Sequence, residues 1–191
     1  MTTDAEQAFR AYAAGRWHRL LRTAFLLTGH HHDAEDLVQA ALARAYVKWE
    51  RVRRADDSDA YVWRIMINLH RDRVRRAGVP EWLTTRFPER TGGDGAEQIA
   101  VRDALVRALL RLPARQRAAV VLRYAEDRSE SEVAALLGAR LGTVRSQTAR
   151  GIARLREDGA LRELLAGVAA VDRKETVPRG GRARGTAPRR A

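Results

Sequence analysis

SESEVAALLGARLGTVRSQTARGIARLR, residues 129–156, is the stretch from which the fold of this chain is read. Ser129 followed three places later by Glu132 has the form of a capping box, in which a hydroxyl and a carboxylate satisfy backbone amides at a helix start. Val133, Leu136 and Leu137 then fall on one side of a short helix, and Gly138 permits a tight turn. After Leu141, Gly142 and Thr143 are candidate caps of a second helix whose Val144, Ile152 and Leu155 face inward, while Arg145, Ser146, Gln147 and Arg150 face away. A short capped helix, a glycine turn and a longer helix with a polar outer face have helix-turn-helix spacing. That outer face suits the major groove, where arginine bonds guanine O6 and N7 and glutamine reads adenine. A plain helical hairpin with a solvated charged face would use the same residues. The conjunction of turn, cap and an Arg/Ser/Gln face favours DNA over it.

Composition points the same way. The chain of 191 residues carries 36 Lys plus Arg against 24 Asp plus Glu, a formal charge of +12. Such an excess calls for a polyanionic partner, nucleic acid before a membrane surface. Only Lys48 and Lys174 are lysines, so the positive charge is almost wholly guanidinium, the group suited to bidentate contact with phosphate or guanine; GC-rich coding DNA would produce the same bias. With no cysteine, disulfides, zinc fingers and Cys-ligated clusters are excluded. Met1 to Arg10 lacks the apolar core of a signal peptide, and no apolar run reaches the ~20 residues of a membrane span. A cytoplasmic protein without membrane insertion is expected.

Upstream of the quoted stretch, periodicity predicts an all-α chain of two small helical domains. Thr3 and Glu6 suggest a capped first helix carrying Phe9, Ala13, Trp17, Leu20, Ala24 and Leu27 to Gly29. Asp33 is placed to cap a second helix with the stripe Ala34, Leu37, Val38, Ala41, Leu42, Ala45, Tyr46 and Trp49. Arg51 to Asp57 is too polar to continue it, and Ser58 or Asp59 is placed to cap a third helix to about Arg76. In that third helix Arg64, Asn68, Arg71 and Arg75 share a polar stripe opposite Val62, Ile65 or Met66, and Leu69. Tyr61 and Trp63 stand among Arg51, Arg53 and Arg54, an arrangement common to single-strand binding sites and to ordinary cores alike. These elements make a three-helix domain over residues 4–76. Pro80, Pro88, Gly92, Gly93 and Gly95 mark residues 77–97 as a flexible linker, with Trp82, Leu83 and Phe87 as local docking points. Val101, Leu105, Ala108, Leu109 and Leu112 begin a four-helix domain over 98–158, broken at Pro113 and resuming through Val120, Val121 and Tyr124. Residues 159–191 read as a short helix and a disordered basic tail.

The order of these elements resembles bacterial RNA polymerase sigma factors of the extracytoplasmic-function group. AEDLVQAALARAYVKW, residues 34–49, is similar to the family helix that docks on the clamp helices of the polymerase's largest subunit. YVWRIMINLHRDRVRR, residues 61–76, resembles the helix that engages the minus-ten element, and LPARQRAAVVLRY, residues 112–124, precedes the helix-turn-helix that reads the minus-thirty-five element. LLTGHHHDAEDLVQ together with GTVRSQTARGIARLR looks closest to the actinobacterial SigE-like subgroup. The first domain is then similar to sigma region 2 and the second to sigma region 4.

The resemblance implies core RNA polymerase and promoter DNA as partners, an anti-sigma factor as a further candidate, and no cofactor. It puts Arg53 and Arg54 in a loop, residues 51–58, that closes over a base flipped from the minus-ten duplex, with Asn68 at the base pocket and Arg64, Arg71 and Arg75 on phosphates. It puts Thr143, Arg145, Ser146 and Ala149 at the minus-thirty-five element and Arg150 on its backbone; Gln147 joins them from its outward position. Polymerase contact falls on Asp36, Leu37 and Gln39, with Ala40 standing where the family usually has glutamate. Strand opening would be driven by binding, since unstacking costs about a few kcal/mol per step and pocket contacts offset it.

Motifs for catalysis are missing: no nucleophile elbow, phosphate-binding glycine loop or zinc-protease helix occurs, and His30, His31 and His32 are consecutive in a turn without a spaced carboxylate partner. A helix-turn-helix repressor or activator acting without polymerase would account for residues 129–156 equally well. It leaves unexplained the amphipathic helix and the basic Asn-bearing helix that lie together in the other domain.

Overall fold

The computed structural model describes residues 3–76 and 96–166, the side chains of 96–99 excepted. All regular structure among these residues is helical, as the periodicity predicts. The first group has four helices where three were expected: α1 (Thr3–Thr28), α2 (His31–Val47), a short α3 (Trp49–Arg53) held by the buried Trp49 and Val52, and α4 (Ser58–Arg76). A second group comprises α5 (Ala96–Arg111), α6 (Ala114–Val120) running into a π-helical turn (Val121–Ala125), α7 (Glu130–Leu137) and α8 (Leu141–Glu157), followed by α9 over residues 159–166. The expected docking of Trp82, Leu83 and Phe87, most of the linker and the basic tail lie outside the described residues.

Buried apolar side chains assemble each group. Leu27, Leu37, Val38 and Val62 are fully enclosed where α1, α2 and α4 meet, and each such side chain contributes about 1.5–3 kcal/mol by leaving water. Phe9 meets Tyr46 and Trp49 at ring-centroid distances of 5.0 and 5.3 Å, closing the far end of α1 on α2 and α3. In the second group Val106, Leu109, Leu122, Val133 and Val144 are buried. Val106 takes the inward place expected of Leu105, which is partly exposed.

Several helix starts differ from expectation. Thr3 lies within α1, and Glu6 pairs with Arg10 at 2.6 Å one turn on. Asp33 sits inside the first turn of α2 after the cap position His30, where its carboxylate favours the positive helix end. At α4 the cap is Asp57, whose Oδ1 accepts the Ala60 amide at 2.8 Å, while Ser58 donates to the Val52 carbonyl at 2.9 Å. α8 begins at Leu141 after Arg140, ahead of Gly142 and Thr143. Ser129 and Glu132 do form the capping box of α7.

The two groups are also docked on each other through one continuous apolar core. Arg19 of α1 donates to Glu126, beyond the π turn, at 2.7 Å, and Thr23 also donates to that carboxylate, whose side chain is wholly buried. Arg117 of α6 donates to the Leu27 carbonyl at 2.7 Å. Arg128 pairs with Asp57 at 2.6 Å and lies over the Trp63 ring at 4.4 Å, and Arg71 of α4 donates to the Leu137 carbonyl of α7 at 3.3 Å.

Candidate nucleic-acid interface

The helix-turn-helix is built by its turn. Gly138 has φ +58°, a left-handed conformation that a Cβ would strain. It closes α7 in a Schellman arrangement, with the Ala139 amide bonded to the Ala134 carbonyl at 3.0 Å and the Gly138 amide to Ala135 at 3.4 Å. At the other end of α7, bonds to Ser129 and then to Arg128 hold the Glu132 carboxyl down at about 2. Val144 is buried against this unit, and Thr148 and Gly151 join it on the inner face of α8. Ile152 and Leu155 are half-buried. An added Cβ on Gly151 would stand 2.6 Å from Val120 Cγ2, so α8 crosses α6 closely there.

The outer face of α8 carries the residues expected to read the upstream element. Thr143, Arg145, Ala149 and Arg150 are exposed, and Ser146 and Gln147 are half-exposed. Ser146 donates to the Thr143 carbonyl at 3.0 Å. Arg145 is not free: its Nε donates to Glu130 Oε2 of α7 at 2.7 Å. Glu130 therefore belongs to this surface, although spacing shows it only as a first-turn acid.

The polar stripe of α4 is also formed. Arg64, Asn68, Arg71 and Arg75 are all exposed on it. Arg64 lies over the Tyr61 ring at 5.0 Å, and Arg75 pairs with Asp72 at 3.3 Å. The expected loop over residues 51–58 is helical in its first three residues, because α3 continues to Arg53; Arg53 and Arg54, at its end, are exposed and paired with Glu50 at 2.7 and 3.6 Å. Trp63 resolves the aromatic ambiguity toward the core: it is 1% exposed, enclosed between Arg19 and Arg128.

α4 is thus buried along two lines, Val62, Met66 and Leu69 on one and Trp63, Ile67 and His70 on the other. Burial, reinforced by the Arg117 and Arg73 guanidiniums, pushes the His70 imidazole down to about 4. It is held neutral near pH 7.

On α2, Gln39 is exposed and Asp36 half-exposed. Leu37 is fully buried. Its part is to anchor the helix, and a role as a surface contact for the polymerase does not fit that burial. Phe9, Leu42 and Tyr46 line a shallow cleft beside this surface, and Val47 at the end of α2 is largely exposed.

An exposed Arg- and Asn-bearing helix in one helix group and a helix-turn-helix with an exposed arginine face in the other are the chemistry of a DNA-binding protein. Residues 15–79 match the sigma-70 region 2 family and residues 102–155 match sigma-70, region 4. The chain is 41% identical to an RNA polymerase sigma-E factor of Streptomyces coelicolor over 87% of its own length and 93% of that protein's. It is 36% identical to the ECF RNA polymerase sigma factor SigM of Mycobacterium tuberculosis, over 78% of this chain and 74% of the other. Among solved structures it is similar to the sigma factor RpoE of Bartonella quintana, seen in complex with the anti-sigma factor NepR, with a TM-score of 0.67, 26% identity and coverage of 80% and 96%. The chain belongs to the extracytoplasmic-function group of RNA polymerase sigma factors. As such it acts with core RNA polymerase in promoter recognition.

Proposed function

We propose that the two surfaces divide promoter recognition between them. The first domain, residues 4–76, presents Asn68 to a base leaving the minus-ten duplex, with Arg53 at the end of α3 and Arg54 after it in the segment that closes over the base, and Arg64, Arg71 and Arg75 on phosphates. The second domain, residues 98–158, lays α8 in the major groove of the minus-thirty-five element, with Thr143, Arg145, Ser146, Gln147 and Ala149 toward bases and Arg150 toward the backbone. Asp36 and Gln39 meet the clamp helices of the polymerase. The observation that carries this reading is the exposure of both polar stripes, one on α4 of the first helix group and one on α8 of the second.

The protein supplies binding energy rather than a catalytic step. Charge-assisted contacts from the arginines hold phosphates, and capture of an unstacked base offsets the few kcal/mol that unstacking costs. The compartment is the cytoplasm, where polymerase and chromosome meet. An anti-sigma factor, of the kind named in complex with the Bartonella quintana relative, is a further partner.

Reconstitution tests this. Core polymerase of the source bacterium with this chain should initiate specifically on promoter fragments from the same genome. Arg145→Ala should cost about 1–3 kcal/mol at one upstream base position, whereas Arg71→Ala should weaken all promoters alike. If core polymerase is neither bound nor redirected, the reading is wrong; if the two variants exchange patterns, the base and phosphate roles are exchanged.

A further inference from the structure

We propose that Leu141, the first residue of α8, determines specificity at the upstream element by packing its side chain on the C5 methyl of a thymine beside the base assigned to Arg145. This contact deepens the proposed function and rests on its placing of α8 in the major groove. Leu141 is 39% exposed. A solitary exposed leucine is ordinary on a protein surface, and it is the place of this one that gives it a role. Of the large apolar side chains left exposed among the described residues, it is the one carried by either proposed DNA helix, α4 or α8.

Geometry puts Leu141 at the end of α8 that enters the groove. A reading helix contacts base edges through its N-terminal residues, and Cα–Cβ bonds tilt toward the helix N-terminus, so the side chain of a first residue leads the helix in. That start is held firmly. Gly138 closes α7 in the left-handed conformation, and the Thr143 and Val144 amides bond the Arg140 carbonyl at 2.9 and 3.1 Å. Leu141 and Arg145 are four residues apart, one above the other on the same side of α8. The rise between them is about 6 Å at ~1.5 Å per residue, or about two base pairs at ~3.4 Å each. Gly142, between them, is needed by neither the turn nor the packing, since a Cβ there would meet nothing within 4 Å. Without that Cβ, the backbone beside Leu141 leaves room for a base pair to come close.

Chemistry then selects the base. Thymine alone presents a methyl group in the major groove, whereas adenine and cytosine present amino donors and guanine two acceptors. Leucine has no donor or acceptor, so its gain comes from covering the methyl and excluding water. Set against an amino edge it leaves a polar group dry, which is costly. One methyl lost from such a contact lowers affinity about fourfold.

The test uses core polymerase of the source bacterium with the full chain, on promoters in which thymine is set in turn at each position of the upstream element on either strand. Each thymine is then replaced by deoxyuridine, which lacks only the methyl, so this arm needs no variant protein. Competition binding should show a loss of about fourfold at one position within about two base pairs of the base that Arg145→Ala affects. Leu141→Ala, which keeps a good helix former at an exposed site, should bind thymine and deoxyuridine alike there. Leu141→Met, apolar and of similar size, should retain the difference. Leu105→Ala, at an exposed leucine of α5, should leave it unchanged. No methyl effect near the Arg145 base, or one that survives Leu141→Ala, overturns the contact. An equal loss on every promoter with Leu141→Ala also overturns it, and would put Leu141 against the polymerase instead. If Arg145→Ala keeps its effect at one base, such a result removes the leucine contact alone; if Arg145→Ala shifts no position either, the placing of α8 fails and the leucine contact with it.

Discussion

Arg145 projects from the outer face of α8 with one edge of its guanidinium already engaged by Glu130. As a contribution to stability this pair is minor, since exposed ion pairs contribute about 0–1 kcal/mol. Its geometry matters more. With Nε tied to Glu130, the two terminal amino groups are left to bond guanine O6 and N7, and their direction is fixed before DNA arrives. The carboxylate also repels phosphate, so its removal should have two opposite effects. Glu130→Ala is expected to lower discrimination at the upstream base proposed for Arg145 by about fivefold to tenfold, while binding to non-specific DNA rises slightly. Competition of the holoenzyme between promoters that differ at single upstream positions measures the first, and a salt titration on random duplex measures the second. Unchanged discrimination would reduce Glu130 to an ordinary first-turn acid. Asn68 shows the opposite design. It stands exposed between two arginines of its stripe, and its amide offers both donor and acceptor to a base edge.

At the level of elements, the crossing of α6 and α8 and the π turn set where the reading helix points. Gly151 lets α8 approach so closely that any Cβ would press on Val120 Cγ2 at 2.6 Å. Alanine in a helix interior is favoured over glycine by about 1 kcal/mol, but overpacking a filled core costs about 1–3 kcal/mol. Val120 is 5% exposed and short, so it cannot swing aside and the steric cost should prevail. Gly151→Ala is expected to lower stability by about 1–2 kcal/mol net, read as a shift in the urea midpoint with the slope unchanged. A stabilised protein would show that the crossing has slack. Much of this level was legible from spacing: the helix-turn-helix, its capping box and its glycine turn all stand where residues 129–156 predict them. Tyr124 was not. It looks like the next apolar position after Val121, yet it is 63% exposed, because the wider π turn shifts the register and brings Glu126 inward in its place. The three helix starts expected at Asp33, at Ser58 or Asp59, and at Gly142 or Thr143 were displaced for a simpler reason. Many polar residues near a start are able to cap, and backbone geometry chooses among them.

Across the whole molecule, docking of the two groups is what spacing could not reveal. A single stripe on α4 predicts one buried line, whereas two are present, the second because Trp63 meets Arg128 and His70 lies near Arg117 of the other group. Burial of polar groups at this contact gives stability a pH dependence. The His70 imidazole, with an ordinary value of 6.5, is pushed down to about 4 first by desolvation and then by Arg117 and Arg73. Between those values the unfolded chain binds a proton that the native chain does not, so stability falls as pH falls, and above 6.5 both states are neutral and the effect vanishes. The full shift corresponds to roughly 3 kcal/mol at 1.36 kcal/mol per unit, accumulating from pH 6.5 down to 4. The depressed Asp57 and Glu132 carboxyls act in a lower window, as pH drops through and below the ordinary carboxylate range, so pH 6.5 to 5 isolates the histidine. Urea unfolding should show wild type losing about 2 kcal/mol between pH 6.5 and 5, and His70→Gln, which cannot take up the proton, should flatten that slope whatever its stability at pH 7. If wild type is level across this range, or if the Gln variant keeps the slope, His70 is not held neutral at the contact between the groups.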